Sequence, residues 1–220
     1  KVNNALRVYL PLLLSLSTSS PFFEGEDTGL HSYRTKLFEA LPLAGMPDYL
    51  NNWNHFENLT KHLEGAGIIN SVKDLWWDVR PHPGFGTVEI RVCDIPINFK
   101  EIIALVALMQ ALVVTLIKLD SYQDTHIQIL QSNKWQAARY GLEGVFVDHK
   151  TFKKLSMIEA VRNLYTLVEP AMHSLELKKY QNTLEEILIN GTGSKKQRKL
   201  YASSKNFAHM LKSLKEQFYH

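Results

Sequence analysis

The chain has 220 residues, 45% of them hydrophobic and 21% charged, a balance that excludes disorder, collagen and coiled coil and leaves length for a sizeable core. Its one cysteine, Cys93, excludes a disulfide framework and a multi-cysteine zinc site. The net charge of +3 is too small to point to nucleic acid, but it is unevenly spread. Residues 1–149 hold 12 basic and 16 acidic side chains, and residues 150–220 hold 13 basic and 6 acidic. The basic excess peaks at Lys195, Lys196, Arg198 and Lys199, which reads as a solvated helix start before it reads as a phosphate-facing surface.

Residues 3–16 place Ala5, Leu6, Tyr9, Leu10, Leu13 and Leu14 at helical spacing, with Pro11 as a kink. Residues 15–29 turn small, polar and acidic, and read as a loop. A helix over residues 51–66 carries Trp53, Phe56, Leu59 and Leu63 on one face and stops at Gly65 and Gly67. Residues 75–94 change to period two, as two strands about a Pro81–Gly86 turn. The apolar run 102–117 falls just short of a membrane span and reads as a central buried helix. The run 10–16 lacks the cleavage pattern of a signal peptide. No membrane partner is expected, and the absence of targeting signals points to the cytoplasm. A short helical piece covers 135–140, and helices are expected over 156–173, 175–189 and 200–218, the last two separated by Asn190–Ser194.

Two features carry chemistry. In the strands, Val88, Ile90 and Val92 face a core while Thr87, Glu89 and Arg91 face away, and Asp78 and Arg80 do the same on the neighbouring segment. Pairing as a hairpin would crowd two acids and two guanidinium groups onto one surface. Such a surface is either a solvated sheet face or a metal–nucleotide site, because carboxylates take hard cations and arginine forks take phosphate. The second feature is the loop Glu24-Gly25-Glu26-Asp27-Thr28-Gly29, whose carboxylates suit a metal or an amine, or else simply face water. It lacks the alternating spacing of an EF-hand, and the chain has no P-loop, G-x-G-x-x-G, H-E-x-x-H or C-x-x-C. His82 is an acid/base candidate of the weaker kind, and Cys93 reads as a small buried hydrophobe.

Four motifs then occur in one order: residues 10–21 with Gly25-Glu26-Asp27-Thr28-Gly29; Trp76-Trp77-Asp78-Val79-Arg80-Pro81; residues 86–94; and Asn133-Lys134-Trp135-Gln136-Ala137-Ala138-Arg139-Tyr140-Gly141. Together they resemble the glutamate–cysteine ligase type 2 family of bacterial ATP-dependent carboxylate–amine ligases, over residues 4–198. The resemblance implies an α+β, glutamine-synthetase-like fold: a mostly antiparallel curved sheet, incomplete here, backed by several helices. Residues 1–149 would be the C-terminal part of the catalytic sheet domain and 150–220 its helical C-terminal segment.

The resemblance also implies that ATP with Mg2+ (or Mn2+) phosphorylates a carboxylate, usually that of glutamate, for attack by an amine. It makes Glu89 a metal ligand and Arg80 and Arg91 the catalytic groups on the transferring phosphoryl. Glu26, Asp27, Asp78, Asn133 and Arg139 are then nucleotide- or substrate-binding. The family's E-x-E and H-x-H strands have no match, and with Lys1 at the start the chain reads as the C-terminal part of a ligase, inactive without its N-terminal part. A homodimer follows from the family, and no nucleic-acid partner is expected. The competing function is an inactive binding or assembly module of the same fold.

Overall fold

The computed structural model describes residues 1–118 and 124–219. Two short helices open the chain, α1 (Val2–Leu6) and α2 (Leu10–Ser17). They replace the single kinked helix expected, because Pro11 lies in the first turn of α2, where its missing N–H goes unneeded. The expected loop follows and folds back on itself as a two-residue hairpin, β1 (Phe22–Phe23) with β2 (Glu26–Asp27). Then come α3 (Tyr33–Glu39), β3 (Ala44–Gly45) and α4 (Trp53–Gly65), the last capped by the Asn52 side chain, which accepts from the His55 N–H.

Strand β4 (Trp76–Trp77) pairs in parallel with β3. The predicted hairpin is present as β5 (Val79–His82) and β6 (Thr87–Ile90), antiparallel with Arg80 opposite Glu89 and Val79 opposite Ile90. Helix α5 runs Phe99–Lys118, and α6 runs Ile127–Tyr140, starting well before the 135–140 piece that sequence periodicity picks out. A further hairpin, β7 (Val145–Val147) with β8 (Lys154–Ser156), was not expected. Helix α7 (Met157–Ser174) starts at a Ser156/Glu159 capping box, and α8 is Gln181–Asn190. The expected final helix, 200–218, is two: α9 (Gly193–Ser204), which takes in the basic cluster, and α10 (Phe207–Gln217). Lys205 in the left-handed region ends α9, and Asn206 caps α10.

The fold is α+β, but among the described residues the sheet is four separate two-stranded pieces, three antiparallel and one parallel. The glutamine-synthetase-like curved sheet is not formed by these residues.

One apolar core joins α1, α2, α5, α6, α7 and α8, so helices from both sides of residue 150 share it. Helix α5 is long and apolar enough to cross a membrane by length and composition. Here Ala104, Leu105, Leu108, Ala111, Leu112 and Leu116 are buried against α7 and α8, while Val106 and Ile117 stay exposed. A smaller cluster of Phe56, Ile69 and Leu75 sits under α4.

Cys93 packs against the main core with its Sγ on the Leu13 carbonyl. Burial pushes its thiol up to about 12. Only the thiolate reacts, so at pH 8 alkylation by iodoacetamide should be about 10³-fold slower in the native chain than in urea. Equal rates in the two states would contradict that burial.

Candidate active site at the Arg–aromatic cavity

The β5–β6 register puts the Arg80 Nη2 2.6 Å from Glu89 Oε2. Arg80 is only 2% exposed, and its Nη1 donates to the carbonyls of Val72, Lys73 and Leu75 at 2.8–2.9 Å. Through Nη1 and Nη2 its guanidinium holds the turn before β4 and Glu89, while its buried Nε has no hydrogen-bond partner among the described residues. The phosphate-facing role expected for Arg80 is not supported by this geometry.

Arg91 is different. It lies over the Trp76 ring at 5.0 Å and makes a long, 3.6 Å ion pair to Glu89 Oε2. Burial pushes the Glu89 carboxyl up, but the Arg80 and Arg91 guanidinium groups leave it below its ordinary value, so it stays ionised. Both guanidinium groups meet Glu89 at Oε2.

Arg34, which stands outside the four motifs, completes the wall. It lies 4.6 Å from the Phe38 ring centroid, and the Phe38 and Trp76 rings are 5.5 Å apart. Arg34, Phe38, Trp76 and Arg91 thus run cation, ring, ring, cation along one wall. Both guanidinium groups are loosely held: Arg34 has a 3.4 Å bond to the Arg91 carbonyl and a 3.8 Å ion pair to Asp94. Together with Asp78 they line a cavity of about 230 Å³.

Asp78 is buried beside it, with Oδ2 2.5 Å from the Lys134 Nζ. Lys134 is 1% exposed and also contacts Glu39 Oε1 at 2.8 Å. Burial raises the Asp78 carboxyl above its ordinary range, and the Lys134 ammonium opposes that rise. Burial also pushes Glu39 up, but Lys134 and Lys36 together leave it below its ordinary value. Glu39 opens on its far side to a cleft of about 540 Å³ bordered by Trp135. The Asp78–Lys134–Glu39 chain therefore forms a partition between two hollows. The signal for Lys134 was present in the sequence: it stands with Leu130, Ala137 and Ala138 on the buried face of α6, where an unpaired lysine would be costly.

The remaining predicted residues lie elsewhere or are already occupied. Asn133 accepts from the Val147 N–H at 2.8 Å and donates to its carbonyl at 2.9 Å, pinning β7 to α6. Its amide serves the backbone and is not free for a ligand. Asp27 is held by Arg198, Nε to Oδ2 at 2.8 Å and Nη2 to Oδ1 at 2.7 Å, and also accepts from the Gly29 N–H. Arg198 keeps its carboxyl below the usual range. Glu26 is exposed beside it, and Arg139 donates to the Gly29 carbonyl.

The same helix α9 pairs Lys195 with Glu143 and Lys196 with Glu101. Three of the four basic side chains in the cluster are thus matched to acids of residues 1–149. His82 lies on β5, buried and stacked on Phe85 at 4.4 Å. Among the described residues, no group of three or more His, Cys, Asp or Glu is placed to hold a metal ion.

An α+β frame that presents loosely held arginines, aromatic rings and a buried acid around one cavity is a surface suited to binding an anion. Comparison with known proteins narrows that reading. A protein from Gloeobacter violaceus named "Putative glutamate--cysteine ligase 2" is 38% identical over 218 residues, 97% of this chain and 59% of that protein. Proteins of the same name from Sorangium cellulosum and Solibacter usitatus are 37% and 34% identical, covering 97% and 90% of this chain and 58% and 52% of their own lengths. The model of glutamate-cysteine ligase family 2 matches residues 1–217, and the chain belongs to that family. It spans a little over half the length of these curated relatives.

Proposed function

We propose that the chain forms part of an ATP-dependent carboxylate–amine ligase of the glutamate–cysteine ligase type, acting on glutamate and an amine in the cytoplasm. The observation that carries this reading is the pair Arg34 and Arg91, loosely held, stacked on Phe38 and Trp76 and lining one cavity. In such a reaction a carboxylate oxygen attacks the γ-phosphorus of ATP and ADP leaves. The amine nitrogen then attacks the acyl carbon, phosphate leaves and the nitrogen loses a proton.

Arg91 and Arg34 serve by neutralising and aligning phosphoryl or carboxylate oxygens, which is most of what phosphoryl transfer asks of a protein. The aromatic rings keep the two guanidinium planes in place, and Lys134 opposes the rise that burial imposes on Asp78 at the cavity wall. Arg80 contributes by positioning Glu89. Magnesium on a nucleotide takes only one or two protein carboxylates, with phosphates and water filling the rest. Glu89, with its remaining oxygen, fits as one of them. Bound there, the metal would screen the phosphate charge.

Glu89→Gln keeps an acceptor for Arg80 while removing the charge. In the full-length protein, calorimetric titration should show the magnesium-dependent gain in ATP affinity falling about tenfold or more, with metal-free ATP binding unchanged. An unchanged magnesium dependence would reject the metal-ligand assignment.

A further inference from the structure

The hairpin β1–β2 is only two residue pairs long, Phe22 with Asp27 and Phe23 with Glu26. An isolated hairpin of that size has almost no stability of its own, and this one turns through Glu24 and Gly25 at positive φ. Its shape must come from outside: α9 supplies Arg198 and Tyr201, α10 supplies Phe207, and Tyr33 and Arg139 add a ring on Phe23 and a bond to the Gly29 carbonyl. Arg198 grips Asp27 with a two-bond fork and donates a third bond to the Leu30 carbonyl at 2.8 Å. Tyr201 on α9 and Phe207 at the start of α10 meet the Phe22 ring edge-on, with centroids 5.1 and 5.2 Å away. Charge-assisted forks and edge-to-face rings are among the stronger contacts a surface loop can make.

Directly before Arg198 on α9, Gln197 donates to the Ser19 carbonyl at 2.7 Å and to Ser19 Oγ at 3.0 Å. From Ser19 a continuous chain leads to the cavity. The Ser19 N–H and Ser20 Oγ both donate to Asp94 Oδ2 at 2.8 Å, and Ser32 Oγ donates to Asp94 Oδ1 at 3.0 Å. That same oxygen faces Arg34 Nη1, and Arg34 reaches from the first turn of α3 to stack on Phe38 in the cavity wall. Asp94 is buried, so this carboxylate is a fixed junction between the loop and Arg34.

Helix α9 is also seated independently of Arg198. The hydroxyls of Thr18, Thr192 and Ser194 bond one another, Ser194 Oγ bonds His31 Nδ1 at 2.9 Å, and the Ser194 N–H donates to the Thr18 carbonyl. Gly193 lets this end approach closely, since a Cβ there would come within 2.5 Å of Ser19 Oγ.

We propose that α9 is a clasp that positions the cavity from behind, with Arg198 holding loop 20–31 and Gln197 holding the Ser19–Asp94–Arg34 chain, both as positioning residues. The acid–base pairing between the two halves of the chain is the means of that hold. Only the substrate arm of the test rests on the ligase reading.

The test uses the full-length protein with Arg198→Met, Arg198→Lys, Asp27→Asn and Gln197→Leu, read by hydrogen exchange and by steady-state kinetics. Arg198→Met should raise exchange over residues 22–31 about tenfold or more, the scale expected for losing charged hydrogen bonds, while α7 stays protected. Asp27→Asn should do the same from the loop side, and serves if Arg198→Met disturbs α7. Arg198→Lys should recover only part, since an ammonium cannot reproduce the fork. Gln197→Leu should raise exchange over 33–39 and raise KM for the carboxylate substrate several-fold, with kcat changed far less.

Unchanged exchange over 22–31 in both Arg198→Met and Asp27→Asn would overturn the clasp. Faster loop exchange with unaltered exchange over 33–39 in Gln197→Leu would overturn the positioning of Arg34. A wild-type protein that forms no amide would sink the ligase reading instead, and the exchange data would still decide the clasp.

Discussion

Lys134→Met is expected to cost about 3–5 kcal/mol of stability at pH 7, the range for removing one partner of a buried charge network. Lys134 is 1% exposed, and its ammonium is shared between Asp78 and Glu39. Methionine fills much the same volume but leaves Asp78 without its ammonium partner, and Glu39 with Lys36 alone. Asp78 already sits above its ordinary range through burial, and losing Lys134 drives it further up. The folded variant then binds more protons than its unfolded chain, so its stability rises as pH falls. Urea unfolding at pH 7 and pH 5 should therefore show the deficit against wild type shrinking at the lower pH. A deficit that is small at pH 7, or that is the same at both values, would show that Lys134 is not the counter-charge for this pair.

Arg80→Met should be nearly as damaging, and for a different reason. The carbonyls of Val72, Lys73 and Leu75 lose their shared donor, and Glu89 loses its shortest contact. Orphaned buried groups cost about 1–3 kcal/mol each, though water can reach some of this turn, so a loss of about 3 kcal/mol is expected. For a chain of this size that is roughly 6–12 °C in Tm. Arg80→Lys should recover little, because one ammonium on a flexible stem cannot reach three carbonyls and a carboxylate in the guanidinium geometry. A folded Arg80→Lys protein of wild-type Tm that has lost only turnover would return Arg80 to the phosphoryl-facing role that its sequence context suggested.

The contrast between Arg80 and Arg91 marks where sequence reading stops. Period-two alternation puts Arg80 and Glu89 on one face of the hairpin, and the register then sets them opposite each other. Alternation says which face a residue occupies, however, and not what lies over that face. The turn 72–75 folds onto Arg80 and buries it, whereas Arg91 stacks on Trp76 and is loosely held by a long ion pair to Glu89. Arg34 and Asp94 were beyond reach for the same reason, since they meet the strands only through the fold.

The motif around Asn133 was informative, but its chemistry lay one residue on. Asn133 is spent on Val147, and Lys134 is the charged group at the site. Strands β7 and β8 are three residues each, too short for a period to show. Some of the charge asymmetry between residues 1–149 and 150–220 is matched within the chain, where Asp27, Glu101 and Glu143 face Arg198, Lys196 and Lys195. The family resemblance, traced on four motifs over residues 4–198, extends to 1–217 in the family match.

Trapping the activated carboxylate distinguishes a working ligase from an inactive module of the same fold. The full-length protein is given glutamate, ATP, magnesium and hydroxylamine as the amine, and hydroxamate and ADP are counted together, for wild type and for Arg91→Ala. Glutamate-dependent hydroxamate and ADP are expected in equal amounts, with kcat/KM lowered about 100-fold or more by Arg91→Ala. No glutamate-dependent ADP release from the wild type, or an Arg91→Ala protein that turns over at the wild-type rate, would contradict the ligase chemistry assigned to this cavity.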